Sequence, residues 1–295
     1  MKRILLIFIL LPMLLIGCSD KDGDSLNYGV EKIFENETAA WLWPTRPVAV
    51  RHVGEFDKTY FGWVSIDGKV SIASYDHENN TYERTIIYEW EKGDDHNQPA
   101  IHIRNDGRII VFAGGHGNVD TIPYFISVKP EDISVFGDEK QILTKEGTSG
   151  YAYPQPVYLS DEEKIYLFFR RNATESEATA EGVRGWGFAV SDNNGETFIE
   201  NDTLLFLEDD VRSPYAVPIS NGKDTISIAR SDWKLGHLAY VRQAISFIKY
   251  KHGNFYKINN SQVGSLNDLP ISKNDMDIIY DSNSNGRYAY VSDIA

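Results

Sequence analysis

The sequence has almost no cysteine, no excess of basic charge and no apolar run long enough to cross a bilayer. A single cysteine, Cys18, in 295 residues rules out an internal disulfide and leaves no thiol partner for a metal cage. Stability has to come from a hydrophobic core, which a chain of this length can build. Lysine and arginine number 29 against 43 aspartates and glutamates, a formal charge of −14. That balance argues against nucleic acid held through a general basic surface, and leaves room for a polyanionic sugar in a locally basic cleft. Long helical stripes are missing too. What is abundant is aromatic: 17 Tyr and 6 Trp suit both β-sheet cores and the faces of carbohydrates.

The chain opens with Lys2-Arg3 and an apolar run from Ile4 to Ile16 broken by Pro12. This run is too short for a mature membrane span and has the layout of a secretory signal. Leu15-Ile16-Gly17-Cys18 resembles the lipobox of bacterial lipoproteins, in which the cysteine is lipidated and becomes the first mature residue. The expected organisation is a signal over 1–17, a lipidated Cys18 with an acidic tether over 18–40, and one domain over 41–295. A lipid at Cys18 would make the membrane a partner and place the domain on the bacterial outer membrane or cell surface. Removing Lys2 and Arg3 takes the charge from −14 to −16.

Beyond the tether, short β-type runs recur, punctuated by Asp-Gly or Asn-Gly. They are Phe61–Ile66, Val70–Tyr75, Ile101–Ile103, Ile109–Phe112, Pro156–Leu159, Ile165–Phe169, Gly185–Ser191, Tyr215–Ile219, Thr225–Ala229, Ala244–Tyr250 and Arg287–Val291. The runs repeat. Gln98-Pro99-Ala100-Ile101 aligns with Gln155-Pro156-Val157-Tyr158, and Ser213-Pro214-Tyr215-Ala216-Val217 gives a third copy. A period of roughly 50–60 residues holds four strands and their loops, so the expected fold is an all-β propeller of four-stranded blades. Ser191 to Phe198 looks like an Asp-box, the turn common in sialidase-type propellers, with serine, aspartate and glycine suited to a self-bonded turn. The domain has room for about five blades, the fifth incomplete.

One hairpin carries chemistry. Asn105-Asp106-Gly107 suits a three-residue loop with its glycine left-handed. Pairing Arg104 with Arg108 then sets Ile103 opposite Ile109 and Ile101 opposite Val111, and the same register brings His96 opposite His116 at the open end. A slip of one residue would put them on opposite faces. The repeat equates His96 with Tyr153 and Arg212 in the next two blades. It likewise equates Gly114–His116 with Arg170-Arg171 and Arg230-Ser231. Equivalent corners of three blades thus carry titratable and cationic groups that strand propensity does not require. His102, His52 and Trp186 read as structural, and Trp233 as packing.

Asp95-His96-Asn97-Gln98-Pro99, Gly114-Gly115-His116-Gly117, Tyr151-Ala152-Tyr153-Pro154-Gln155-Pro156 and Phe168-Phe169-Arg170-Arg171 resemble the BNR-repeat propellers that include the ulvan lyases. Arg212-Ser213-Pro214-Tyr215 and the stretch Ala244–Tyr256 extend the likeness from about Trp41 to the end. The resemblance implies a seven-bladed propeller, more chain than is present here, and a canyon for a sulfated, uronate-containing algal polysaccharide. It further implies a histidine base, a tyrosine acid and an arginine at the uronate carboxylate. These fall on His96 and His116, Tyr153 and Arg170, with Tyr215 as a second site tyrosine.

The residue types suit β-elimination without the family. The proton α to a carboxylate is very weakly acidic until that charge is neutralised, which the planar fork of an arginine does well. A neutral imidazole can then take the proton near pH 7. A tyrosine hydroxyl can supply the proton to the leaving oxygen, or act as base if nearby arginine depresses its pKa. Asn97, Arg212 and Arg230 are the expected substrate-binding residues. The chemistry requires no cofactor, and a structural metal ion stays open. His96 and His116 could ligate zinc, but spacing signals no further ligand. Two alternatives remain at the level of sequence: a surface glycan-binding lipoprotein without catalysis, and a sialidase-type hydrolase using Arg170, Arg212 and Arg230.

Overall fold

The computed structural model describes residues 39–40, 42, 44–117, 119–238, 242–282 and 287–291. The expected signal, Cys18 and most of the tether lie outside the described residues. Every regular element of more than three residues among them is a strand, and the strands form four antiparallel sheets in chain order. The first contains β1 (Ala39–Ala40), β2 (Ala49–Val53), β3 (Asp57–Ser65), β4 (Lys69–Asp76) and β5 (Thr81–Glu89). The second is β6 (Pro99–Ile103), β7 (Ile109–Ala113), β8 (Pro123–Ile126) and β9 (Lys140–Gln141), and the third β10 (Ala152–Leu159), β11 (Lys164–Asn172), β12 (Arg184–Ser191) and β13 (Ile199–Glu200). The fourth runs through β14 (Val211–Ser220), β15 (Thr225–Lys234), β16 (Arg242–Lys251), β17 (Asn254–Tyr256) and β18 (Gln262–Ser265), with β19 (Asp277–Tyr280) added beside β16.

The second, third and fourth sheets are meanders, each strand pairing with the next, as the repeat predicted. The equivalent strands β6, β10 and β14 open them. The repeated glutamines tie this inner end together: Gln98 accepts a hydrogen bond from the Leu42 amide (2.7 Å), and Gln155 donates to the Ala216 carbonyl (2.9 Å). One expectation fails. Arg287–Val291 belongs to no strand, and the segment before it returns to the fourth sheet as β19 instead of starting a further hairpin.

Strand β11 shows why the runs are apolar on both faces. Ile165, Leu167 and Phe169 pack with Ile110, Phe112 and Tyr124 of the second sheet. Tyr166 and Phe168 pack with Ile226, Ile228, Ile248 and Tyr250 of the fourth. A strand between two sheets buries both of its faces, and each large apolar side chain contributes about 1.5–3 kcal/mol. The same alternation sends Arg170 towards the fourth sheet and Arg171 towards the second. The Asp-box forms its self-bonded turn, but Asn193 does the work expected of an aspartate. Ser191 Oγ donates to its Oδ1 (2.9 Å), as does the Thr197 amide (3.0 Å), and Gly195 takes φ of +85°.

Candidate active site

The β6–β7 hairpin has the expected register. Arg104 donates its amide to Arg108 (2.9 Å), Gly107 takes φ of +78°, and Ile103 and Ile101 face Ile109 and Val111. At the open end the imidazoles of His96 and His116 stack, centroids 3.6 Å apart and planes 1° from parallel. Close approach here depends on Gly114, where a Cβ would lie 2.5 Å from the His96 carbonyl oxygen. Asn97, expected to bind substrate, is buried and donates its amide to the Gly114 carbonyl (3.3 Å), joining the two histidine-bearing ends.

Asp94, which the sequence reading passed over, organises the pair. It caps a 3-10 turn over Asp95–Asn97 by accepting from the His96 amide (2.8 Å). Its Oδ1 also meets His96 Nδ1 at 2.6 Å, and its Oδ2 meets His116 Nδ1 at 2.9 Å. Asp95 gives His96 Nδ1 a second carboxylate at 2.6 Å. A carboxylate between two Nδ1 atoms holds the proton on each of them, so that both Nε2 atoms carry lone pairs. Burial works against the charge on Asp94, but the hydrogen bonds from His96 and His116 hold its carboxyl well below the usual range. Burial, His116 and Arg170 together push the His96 imidazole below the ordinary histidine range, against the pull of Asp94.

The repeat brings the next parts alongside. Tyr153 sits in a bulge between Ala152 and Gln155 with φ of +61°, a conformation that costs a non-glycine residue about 1–2 kcal/mol. Its ring lies 5.0 Å from that of His96 and 5.9 Å from that of Tyr215. Arg170, 2 % exposed, places its Cζ 4.4 Å from the Tyr153 ring centre and donates to the hydroxyls of Tyr153 (3.1 Å) and Tyr215 (3.4 Å). No carboxylate pairs with it among the described residues, and its Nε has no partner. Burial pushes the Tyr153 hydroxyl above the ordinary phenol range, with Arg170 opposing. Burial acts the same way on Tyr215, but there Arg170, Arg242 and Arg184 outweigh it and the hydroxyl is held below that range.

Two further arginines complete the cluster. Arg242 Cζ lies 4.1 Å from the Tyr215 ring centre. Arg184 is depressed by burial and by the charges of Arg170 and Arg212. Arg212 is half-buried, donates to the Glu181 carbonyl (3.3 Å), and lies 6.0 Å from the ring of Trp233, which packs against the core as expected. Arg230 is not in the cluster. It is fully buried and locked to Asp232 (2.7 Å) and Glu208. The hairpin register pairs Tyr215 with Ser231, so Arg230 points to the opposite face and the arginine triad of the hydrolase alternative does not assemble. Trp186 is core, as expected, and His52 meets Glu131 at 3.5 Å.

Asp94, His96 and His116 offer three donors that could hold a metal ion, and so do Asp161, Asp224 and His252. In the first group mutual hydrogen bonds account for the arrangement, and in the second Asp224 already pairs with Lys251 at 2.7 Å. A cavity of about 620 Å³ lies at the turn ends of the inner strands, lined by Val50, Ile103, Val157 and Ile219 among others, and contains none of the cluster.

The model of BNR repeat-containing family members matches residues 58–290. The chain belongs to the BNR repeat-containing family. Within reach of this member of the family is a protein named Ulvan Lyase-PL25 from Pseudoalteromonas sp. (strain PLSV), 30% identical over 53% of this chain and 34% of that one. An ulvan lyase of Nonlabens ulvanivorans is 26% identical over 68% of this chain and 45% of that one. The chain therefore spans between a third and a half of the length of the curated relatives it matches. Among solved structures, a polysaccharide lyase PL25 ulvan lyase superposes with a TM-score of 0.61 at 21% identity, over 80% of this chain and 57% of that one. The same kind of lyase bound to -[GlcA(1-4)Rha3S]- gives 0.59. These two likenesses show the fold.

Proposed function

We propose that this family member is a polysaccharide lyase that cleaves a sulfated, uronate-containing polymer of the ulvan type by β-elimination. The observation that carries the reading is the buried, carboxylate-free Arg170 set against Tyr153, Tyr215 and the Asp94-bridged histidines. Such a cation in an acidic protein is a seat for an external carboxylate. The names of the curated relatives and the sugar in the related complex support the polymer class.

In the proposed reaction Arg170 takes the uronate carboxylate and stabilises the charge that develops as the α-carbon loses its proton. His96, neutral and with Nε2 free of a proton, removes it. The electron pair forms the C4–C5 double bond and the C4–O bond to the neighbouring sugar breaks. Tyr153, kept protonated by burial, supplies the proton to the departing oxygen. No water is consumed, and the products are an unsaturated uronate and a new hydroxyl end. Tyr215, between Arg170 and Arg242, orients Arg170.

The four sheets are read as consecutive blades of a β-propeller, with Cys18 lipidated and the blades held at the cell surface behind the tether. The test is ultraviolet absorbance of the conjugated product when the purified chain meets ulvan. A rise that His96→Ala abolishes is expected. No rise from a folded, monodisperse sample would overturn the lyase reading in favour of a glycan-binding surface protein.

A further inference from the structure

We propose that a pocket on the outward face of the fourth sheet is a second binding site for an anionic sugar chain, at the far end of β16 from the cleft. This rests on the reading of the chain as one that handles an anionic polysaccharide, and adds a holding site outside the reaction centre. Alternation along β16 turns Ile248 and Tyr250 towards the third sheet, where they join the core, and Lys249 and Lys251 to the other side. The pairing sets Tyr256 of β17 opposite Lys249 and Thr225 of β15 opposite Lys251. These four residues and Asn260 line a cavity of about 420 Å³, within the range of small-ligand sites, about 300–1,000 Å³. Lys251 and Asn260 are exposed and the other three are only half-buried.

The donors say what fits. Lys249 Nζ donates to Asn260 Oδ1 (2.6 Å) and to the Ile258 carbonyl (3.3 Å), and among the described residues no carboxylate pairs with it. Those bonds aim the ammonium and leave it one N–H. Lys251 Nζ meets Asp224 Oδ2 at 2.7 Å, which leaves it two. The ring of Tyr256 offers a face for a sugar. The Asn260 amide can donate to sugar hydroxyls, and Thr225 Oγ1, which donates to Asp224 (2.8 Å), can accept from them. A sulfate ester or a uronate carboxylate on such a frame matches the two ammoniums. Lysine suits a holding site, because a point charge tolerates an anion in many orientations where a guanidinium fork demands one. From Arg242, beside the cleft, to Lys251 the strand runs nine residues, about 30 Å. A long chain can occupy both places at once, and a short oligosaccharide only one.

The experiment measures equilibrium binding of the purified chain to long ulvan chains and to an ulvan tetrasaccharide. Wild type is expected to hold the long chains at least about tenfold more tightly, because one contact raises the effective concentration for the other. Lys249→Gln/Lys251→Gln should remove that advantage and leave the tetrasaccharide affinity of the cleft unchanged, which also reports an intact fold. Lys249→Arg/Lys251→Arg keeps both charges and should retain most of it. Long-chain affinity unmoved by the two glutamines overturns the proposal. So does an equal loss on the tetrasaccharide, which would trace the effect to the cleft. Poly-glutamate, a charged chain without sugar rings, should gain little from the two lysines; a gain equal to that of ulvan would make the pocket a general anion patch and overturn the sugar assignment. Lysine-dependent binding of long chains without an unsaturated product would refute the lyase reading alone. Turnover whose KM for long chains stays fixed in the glutamine variant would refute this assignment alone.

Discussion

Replacing Asp94 by Asn tests the arrangement of the histidine pair without changing the shape of the side chain. In the native pair one carboxylate accepts from both Nδ1 atoms, at 2.6 and 2.9 Å. An amide has one acceptor oxygen, and its nitrogen must face the other ring. That ring loses a charge-assisted hydrogen bond worth about 1.5–3 kcal/mol and is driven to put its proton on Nε2. His96 keeps Asp95 as an alternative acceptor, so His116 bears most of the change. At about 1.4 kcal/mol per factor of ten, kcat should fall roughly tenfold to a hundredfold with KM little changed. Asn at both Asp94 and Asp95 should cost more. The acid limb of the pH–rate profile carries the sign. A base works only when neutral, so activity survives as pH falls below the ordinary histidine range and is lost through the lowered pKa of His96. Asp94 raises that pKa, and its removal should move the limb lower still. Nitrogen-15 NMR of the imidazoles reads the tautomers whether or not the protein turns over. A Asp94→Asn protein with unchanged tautomers, kcat within threefold of wild type and an unmoved acid limb would refute the reasoning.

Neighbouring arginines should respond in opposite ways. Arg170→Gln removes a buried charge that no carboxylate matches, so thermal stability should hold or rise while kcat/KM drops about 10²–10³-fold. Arg171→Ala strands the buried Glu200 and should destabilise by about 3–5 kcal/mol in urea unfolding. His102, where burial and Arg104 lower the pKa to about 4, binds a proton more readily unfolded than folded. Its contribution is intact above the ordinary histidine pKa and lost as pH falls towards about 4. His102→Gln should therefore make unfolding free energy between neutral and mildly acid pH less steep, by up to about 3 kcal/mol; an unchanged slope would contradict it.

Much of this was legible from local chemistry. A three-residue Asn-Asp-Gly loop and strict alternation fixed the hairpin register, and the register delivered the histidine stack. The Gln-Pro repeat placed Tyr153 and Arg170 beside it. The misses have local causes too. The third copy carries a bulge between Val211 and Ser213. Past that bulge Tyr215 pairs with Ser231, so Arg230, which the repeat equates with Arg170, turns its side chain to the opposite face. Arg184 and Arg242 begin third strands, which the repeat comparison did not follow. Asp94 had a signal, an aspartate two residues before His96 in a capping position, but it takes the fold to show that the same carboxylate reaches His116. Arg287–Val291 alternates like a strand, yet alternation supplies no partner, and β19 occupies the place beside β16.

Arg170 and Arg171 stand next to each other in β11 and face different sheets. One residue less within that strand before Arg170 would move Arg171 into its place at the cleft, and one residue more would bury Arg170 in the place of Arg171, against Glu177 and Glu200. The turn before the strand, residues 160–163, has no such duty. Variants of this sequence should therefore accept changes of length in the hairpin tips and almost none between Lys164 and Arg171. The tolerated insertions along the chain would then mark out, from outside, which strands hold a working end.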